Sequence, residues 1–504
     1  MSPRPHVFVV HGKTESLTHD AAIVPVDRSL HFEEHWRELL GHWPPAPVTW
    51  DQGWGRVDQR NIWLVEVGDL DYKAVLQRLE RALEDVREVL TDHAVAGGRE
   101  VPLVALPALG IGAGGHEHER GKSIKGLMST LLRLAPDFGL DLALVTPDAA
   151  VYAAAQFARG ESPHETPLPD AVERAAQRLS ALARGGELAL FLGAGVSIPA
   201  GLVSWNQLIK NLAAAIPAEE RSELAAEDAM RGLSATDQAE LIERLDRDGF
   251  QRRVVEHTSA GQRPSLLHAL AAGLDVKEVV TTNYDDLYER AALAARREVK
   301  AIMPWNSARG ATRWILKLHG DIHHPRSIVL TRRHMVRFDA ANRPSAAVLQ
   351  SLFLTRHLLF IGTSFTDDNV IRLVHEVQAY REEHGPQVTA DGNVVNSWEP
   401  FGTVLDTDDD RVRARLWKGE LEWVHHRDED ISGRRAVELL VDRIAQLASQ
   451  DATWLLDPRF AGLLDPADRD LADLAANLYT RLPEGDNAWA PLRVRLEELG
   501  AKHI

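Results

Sequence analysis

The stretch FLGAGVSIPAGLVSW, residues 191–205, decides how the chain is read. An apolar run from Leu188 to Leu192 stops at Gly193-Ala194-Gly195, passes Ser197 and gives way to a helical pattern. That order predicts a buried strand turning sharply into a helix N-terminus. Small residues let the backbone approach a ligand, and the first helical N–H groups turn the positive end of the dipole toward an anion such as a pyrophosphate. Alone, a Gly-Ala-Gly turn is weak, because many tight strand-to-helix corners hold no ligand. Three later stretches strengthen it: TTNYD at 281–285, KLHGD at 317–321 and FIGTSF at 360–365. Strands that each run into a turn carrying polar chemistry predict a doubly wound parallel sheet with its ligand at the carboxyl edge.

Working outward, residues 170–184 read as a helix leading into the first strand, and helices continue to about residue 272 with loops near Pro217 and Pro264. Within them, 238–247 and 250–258 read as a helical insertion over the sheet. Residues 276–282, 315–318, 358–362, 403–405 and 421–425 are expected strands, and 326–330 a short extended segment. Helices are expected at 368–383, 408–417 and 433–449, and a loop or hairpin at 385–396. This α/β domain spans 170–450, and the charged, proline-punctuated tail 451–504 reads as a helical cap or oligomer contact. Upstream, strands at 6–10, 21–26, 61–67, 101–106 and 140–145 alternate with helices at 72–93 and 122–134, so 1–160 forms a second α/β unit. Its fourth strand runs into PALGIGAGG, residues 107–115. Residues 161–169, rich in Pro, Glu and Ser, read as the linker.

The bulk composition excludes several classes. At 504 residues the chain needs more than one core. A net charge of −17 argues against broad contact with nucleic acid. No run nears the roughly 18 apolar residues of a membrane span, and MSPRPHVFVVHGK lacks a secretory leader's apolar segment, so a cytoplasmic protein is expected. The chain has no cysteine, which removes disulfides, thiolate nucleophiles and cysteine-based zinc sites. His116-x-His118 has no further ligand nearby and reads as a polar loop, and no metal is expected.

In order and approximate spacing, the four motifs resemble the sirtuin family, whose Rossmann-type fold binds NAD+ and breaks its nicotinamide–ribose bond. The resemblance implies that Asn283 holds ribose hydroxyls and a water, and that His319 is the general base. Asp285 is implied to buttress the loop or contact nicotinamide. Gly193, Ala194, Gly195 and Ser197 are implied to hold the pyrophosphate, and Gly362, Thr363 and Ser364 to contact phosphate and adenosine ribose. Thr282 joins the cofactor-binding set and Trp205 would wall the nicotinamide pocket. The first unit resembles a macro domain, a module that binds ADP-ribose and related nucleotides, with Gly110, Gly112, Gly114 and Gly115 in the loop that would wrap a diphosphate. It departs from that pattern at Lys13, where the family has an acidic residue, and at Pro25-Val26-Asp27, which replaces an asparagine-rich turn. Nucleotide sensing and partner docking are both open to it.

Departures from the deacetylating sirtuins are also informative. Val203-Ser204-Trp205-Asn206 stands where they have Pro-Asp-Phe-Arg, and their four-cysteine zinc module cannot form. Water is then the expected acceptor, with nicotinamide and ADP-ribose as products. This variant resembles the sirtuin-like NADases of bacterial antiphage defence, which deplete NAD when activated. That resemblance implies a homo-oligomer, restraint until a signal arrives, and an activating defence or phage protein. The alternatives are an NAD-dependent protein deacylase and a non-catalytic sensor holding NAD or ADP-ribose.

Overall fold

The computed structural model describes the chain except residues 1–3, 59, 69–70, 92–94, 113, 163–167, 217–229, 231, 260, 262, 342, 385–398, 409, 426–432, 450–451 and 504. Most of the expected linker and the whole expected loop or hairpin at 385–396 therefore lie outside the described residues.

In the first unit, strands β1 (Val7–His11), β2 (Ala21–Val26), β3 (Trp54–Arg56), β4 (Ile62–Glu66), β5 (Leu103–Pro107) and β6 (Asp141–Thr146) form one sheet in the order β1-β6-β5-β2-β4-β3. All neighbours pair parallel except β3 with β4. The helices are α1 (Arg37–Leu40), α2 (Tyr72–Leu90), α3 (Arg120–Phe138) and α4 (Ala149–Gly160). Every residue of β1, β4 and β6 is buried, as strands covered on both faces require. Helix α2 forms because Val75, Leu79, Leu83, Val86 and Leu90 fall on one buried stripe and Asp71 caps its start.

The second unit is built on β7 (Leu188–Leu192), β8 (Glu278–Thr281), β9 (Ala301–Met303), β10 (Trp314–Lys317), β11 (His357–Ile361), β12 (Gly402–Leu405) and β13 (Leu421–Val424). Its order is β13-β12-β11-β7-β8-β10-β9, with every pairing parallel. Its helices are α5 (Asp170–Arg184), α6 (Trp205–Ala214), α7 (Ala235–Leu245), α8 (Phe250–Thr258), α9 (Leu266–Ala272), α10 (Leu287–Ala294), α11 (Arg332–Ala341), α12 (Arg343–Thr355), α13 (Asp368–Glu383), α14 (Arg411–Leu416) and α15 (Gly433–Ala448). From β7 the chain builds outward through β8 on one side, then returns through β11 on the other. The switch point of this doubly wound sheet therefore lies at the carboxyl end of β7.

One buried cluster runs through both units. It joins Phe8, Val10, Ala105 and Ala143 of the first sheet to Leu190, Leu192 and Ile315 of the second through Ala176, Leu270 and Val441 of α5, α9 and α15. The tail returns to the first unit: Trp454, Phe460, Leu463 and Leu464 enter the core on the α2–α3 face, and helices α16 (Pro466–Arg481) and α17 (Ala490–Glu498) follow. The tail packs against α3, where the Phe460 carbonyl would lie 2.4 Å from a Cβ on Gly121.

Several elements differ from expectation. The extended segment expected at 326–330 opens instead on a 3-10 turn, Pro325–Ser327, and the backbone is extended at Ile328. Strands β3 and β9 and helices α11 and α12 have no counterpart among the expected elements. Where a helix is expected past Gly195 and Ser197, the chain instead makes two 3-10 turns, Ala194–Val196 and Ile198–Ala200. Pro199 removes an N–H there, and Gly201 at φ 91° ends the turn. Helix α6 begins only at Trp205, capped by the Ser204 side chain.

Candidate active site

Strand register brings the four motifs to one level. Leu192 of β7 pairs with Ile361 of β11 and with Thr281 of β8, and Thr281 pairs with Lys317 of β10. Gly193, Thr282, Leu318 and Gly362 are thus the first residues past the sheet edge. The loops after β7 and β11 cross there. Gly193 N–H donates to the Ile361 carbonyl at 3.0 Å, and Gly195 N–H to the Gly362 carbonyl at 2.7 Å. A Cβ on Gly193 or Gly195 would lie 2.6 or 2.7 Å from the Gly362 backbone, and Gly362 itself has φ 67°. These glycines are required first by contact between two backbones. The element that follows β7 is a pair of short turns rather than the end of a long helix.

Asn283 is held rigidly behind that crossing. The Thr281 hydroxyl donates to the Leu192 carbonyl at 2.9 Å and accepts the Asn283 N–H at 3.0 Å. The Asn283 Nδ2 donates to the Gly193 carbonyl at 3.0 Å and to Ser197 Oγ at 3.1 Å. Ser197, 3% exposed, donates in turn to Asp285 Oδ2 at 2.9 Å. Asp285 Oδ1 accepts the Leu287 N–H at 3.1 Å, so this carboxylate buttresses the loop from inside. Burial pushes the Asp285 carboxyl above its ordinary range, and nearby Lys317 partly offsets that. His268 completes the set. Its Nδ1 accepts the Ser265 N–H at 3.1 Å, which leaves the proton on Nε2, 3.4 Å from Ser197 Oγ.

His319 stands across the cavity at the end of β10. It is 3% exposed, and its Nε2 lies 3.1 Å from Asp367 Oδ2. Asp367 also caps α13, accepting the Asn369 and Val370 N–H groups at 3.0 Å each through Oδ1. Asp367 thus has two roles: one oxygen caps α13 and the other lies against the histidine. Gly320 at φ 100° turns the chain away from His319, where a Cβ would strike the Ser327 carbonyl at 2.5 Å.

All twelve residues expected to carry catalysis or hold the cofactor line a single cavity of about 1150 Å3. They are Asn283 and His319 together with Gly193, Ala194, Gly195, Ser197, Trp205, Thr282, Asp285, Gly362, Thr363 and Ser364. Ser197 and Asp285 spend their side chains on each other, so they shape the wall. The lining also includes residues not expected there: Asp367, Asp406, Arg413 and Arg434, and Gly98, Arg99 and Glu100 from the first unit. Arg413 donates to the Ser364 carbonyl at 2.7 Å, and Arg434 to the Gly97 carbonyl at 3.1 Å. Arg413 thus stands beside the β11 loop and Arg434 beside the first unit, and both guanidinium groups line the cavity. No local motif marks Arg99 or Arg434, because tertiary packing alone brings them here. Gly110, Gly112, Gly114 and Gly115 line no part of this cavity. They follow β5 at the carboxyl edge of the other sheet, where His116 N–H closes the loop on the Gly110 carbonyl at 3.2 Å. His118 is exposed and His116 half-buried against Tyr72.

A parallel sheet with a polar crevice at its switch point defines the second unit as a dinucleotide-binding type of α/β domain. More narrowly, residues 277–419 within it match the SIR2-like domain family. The chain is 26% identical over 204 residues to "NAD(+) hydrolase ThsA" of Acinetobacter baumannii (strain 532279), covering 40% of this chain and 41% of that protein. It is 27% identical over 222 residues to the protein of the same name from Enterococcus faecium, covering 42% and 44%. Similarity to "Defense-associated sirtuin 2" of Bacillus subtilis is 21% over 226 residues, 43% of this chain and 22% of that one. The chain thus spans less than half the length of these relatives.

Proposed function

We propose that this protein is an NAD+ glycohydrolase, converting NAD+ and water to nicotinamide, ADP-ribose and a proton. The observation that carries the reading is the convergence of Asn283, His319 and the crossed glycine loops on one cavity. Nicotinamide leaves as a neutral amine, so the transition state is oxocarbenium-like. The protein's work is to hold the ribose, shield it and place a water. Asn283, with both amide hydrogens directed by its neighbours, is suited to fix ribose and water through its carbonyl oxygen. His319, paired with the Asp367 carboxylate, is suited to take the water's proton. Arg413 and Arg434 would stabilise the diphosphate. The relatives' printed names as NAD(+) hydrolases and a defence-associated sirtuin support the same reaction, used to deplete cellular NAD in antiphage defence.

In this reading the protein works in the cytoplasm as a homo-oligomer, restrained until a defence or phage protein, or a nucleotide at the macro-like unit, releases it. The closed turn at Gly110–Gly115 is the place for such a nucleotide. Among the described residues no helix is long and apolar enough to cross a membrane.

The test is release of nicotinamide from NAD+ by the purified full chain without acylated peptide. Asn283→Ala and His319→Ala are each expected to slow it by on the order of 10²- to 10³-fold. Product that appears only when acylated peptide is added would make the protein a deacylase. Wild-type turnover by both variants would remove the two residues from the reaction.

A further inference from the structure

Lys317 is buried at the carboxyl end of β10, its side chain 0% exposed, two residues before His319. An ammonium so placed must have partners, and it has four. Nζ donates to the carbonyls of Asp285 at 2.6 Å and Tyr284 at 3.2 Å, and it pairs with Asp321 Oδ2 at 2.5 Å and Glu289 Oε1 at 3.0 Å. The two carbonyls belong to the loop that carries Asn283. Asp321 belongs to the turn that carries His319, and it shapes that turn: its Oδ1 accepts the His323 N–H at 2.6 Å and its own N–H donates to Ser327 Oγ at 3.1 Å. A continuous chain of bonds therefore runs from Asn283 through Ser197 and Asp285 to Lys317, and on to the His319 turn.

We propose that Lys317 is a positioning residue, an ammonium clamp that sets the spacing between Asn283 and His319. The inference rests on the reading that those two side chains act on one substrate. Strand pairing brings the ends of β8 and β10 level, and beyond them one backbone bond, from the Ile322 N–H to the Tyr284 carbonyl at 3.0 Å, joins the loops; Lys317 adds side-chain bonds to both. A compact point charge with three donors can hold carbonyls of one loop and a carboxylate of the other at once, which a neutral side chain of similar length cannot do. Burial disfavours the charged amine. The carboxylates of Glu289 and Asp321 outweigh that and keep it ionised.

A purely structural lysine would serve only to neutralise those carboxylates, and the experiment separates the two roles. The triple variant Lys317→Met, Asp321→Asn, Glu289→Gln removes the charges together and leaves no carboxylate stranded. In the full chain it is expected to unfold near the wild-type temperature and to bind ADP-ribose with similar affinity. Its kcat for NAD+ should fall by on the order of 10²-fold with KM nearly unchanged. Amide hydrogen exchange should rise in 281–287 and 318–328 together. Should the triple variant fold poorly, Asp321→Asn alone is the second reagent, since Glu289 still neutralises Lys317. It is expected to loosen 318–328 and lower kcat by about 10-fold. Wild-type turnover in either variant, or faster exchange in only one of the two loops, overturns the clamp. If the wild-type protein releases no nicotinamide, the hydrolase reading fails, and the exchange measurement alone still decides whether Lys317 couples the loops.

Discussion

At the scale of single residues, the cavity is shaped by side chains whose hydrogen bonds go to the protein itself. His268 is fully buried, and burial lowers its pKa to about 3. Its unprotonated Nδ1 is the acceptor for the Ser265 N–H in a capping box at the start of α9. Because the folded pKa lies below the unfolded value of 6.5, the folded state cannot take up the proton that the unfolded state gains. The stability due to neutral His268 is complete above pH 6.5 and is lost as pH falls from there toward 3. By pH 5 the loss reaches about 2 kcal/mol. His268→Gln keeps an acceptor at the same capping position and does not titrate. Urea unfolding at pH 7 and pH 5 should show wild type losing about 2 kcal/mol more than this variant; equal losses would mean that His268 is not held neutral by its cap. Asp367 invites a similar separation, because asparagine caps helices as well as aspartate. Asp367→Asn should leave the melting temperature within a few degrees while slowing NAD+ cleavage by about 10-fold or more. An unaffected rate would reduce Asp367 to the capping role that its position before α13 suggests on its own.

At the scale of elements, the governing feature is the crossing of the β7 and β11 loops. Gly195→Ala places a Cβ 2.7 Å from the Gly362 Cα, in a contact between two backbones that neither can relieve by a rotamer change. It is expected to cost about 1–3 kcal/mol and to weaken ADP-ribose binding at least 10-fold by calorimetry. Gly201→Ala, with φ 91° and open space around it, should cost stability through its backbone alone and leave binding largely intact. Equal binding by the two variants would break the link between the crossing and the pocket. The same contrast explains what could be read from the chain. β7, β8, β10 and β11 were legible because each is an apolar or β-branched run that stops at a polar turn, and residues at those stops line the cavity. The helix expected after Gly195 was not, because the pattern of small and apolar residues there is shared by Pro199-broken 3-10 turns. β3 and β9, three residues each, are too short to show a period, and α11 opens on Arg332, Arg333 and His334, which resemble a loop. Arg99 and Glu100 gave no local sign of belonging to the cavity, since only packing between distant segments puts them there.

At the scale of the whole molecule, the two sheets are joined by more than a linker. Beneath the shared apolar cluster, Asp141 at the start of β6 is 0% exposed and accepts from His6 N–H at 2.8 Å, Arg435 at 2.7 Å and Arg99. Arg99 also reaches Glu438 of α15 at 2.5 Å, and burial holds the Glu438 carboxyl above its ordinary range. A second set joins Arg159 of α4 to Asp442 of α15 at 2.6 Å. Charges buried this deeply are stable only as complete sets, and removing one member typically costs about 3–5 kcal/mol. Residues 170–450 expressed alone would expose the apolar faces of α5, α9 and α15 and strand Arg435, Glu438 and Asp442, so that fragment should aggregate rather than run as an unrestrained hydrolase. On the proposal that the activity is restrained, release would come from a shift at this interface rather than from shedding the first unit. The segment placed to transmit such a shift is Gly97–Glu100. Gly97 packs so closely on Pro199 that a Cβ would lie 2.3 Å from its carbonyl, and the three residues after it line the cavity. Arg99→Met in the full chain should therefore do two things at once: lower stability by about 3 kcal/mol and raise KM for NAD+ several-fold while kcat changes less. A variant that lost the stability and kept the wild-type KM would show that the first unit supports the fold without shaping the pocket. Control of the enzyme would then have to enter through the second unit itself.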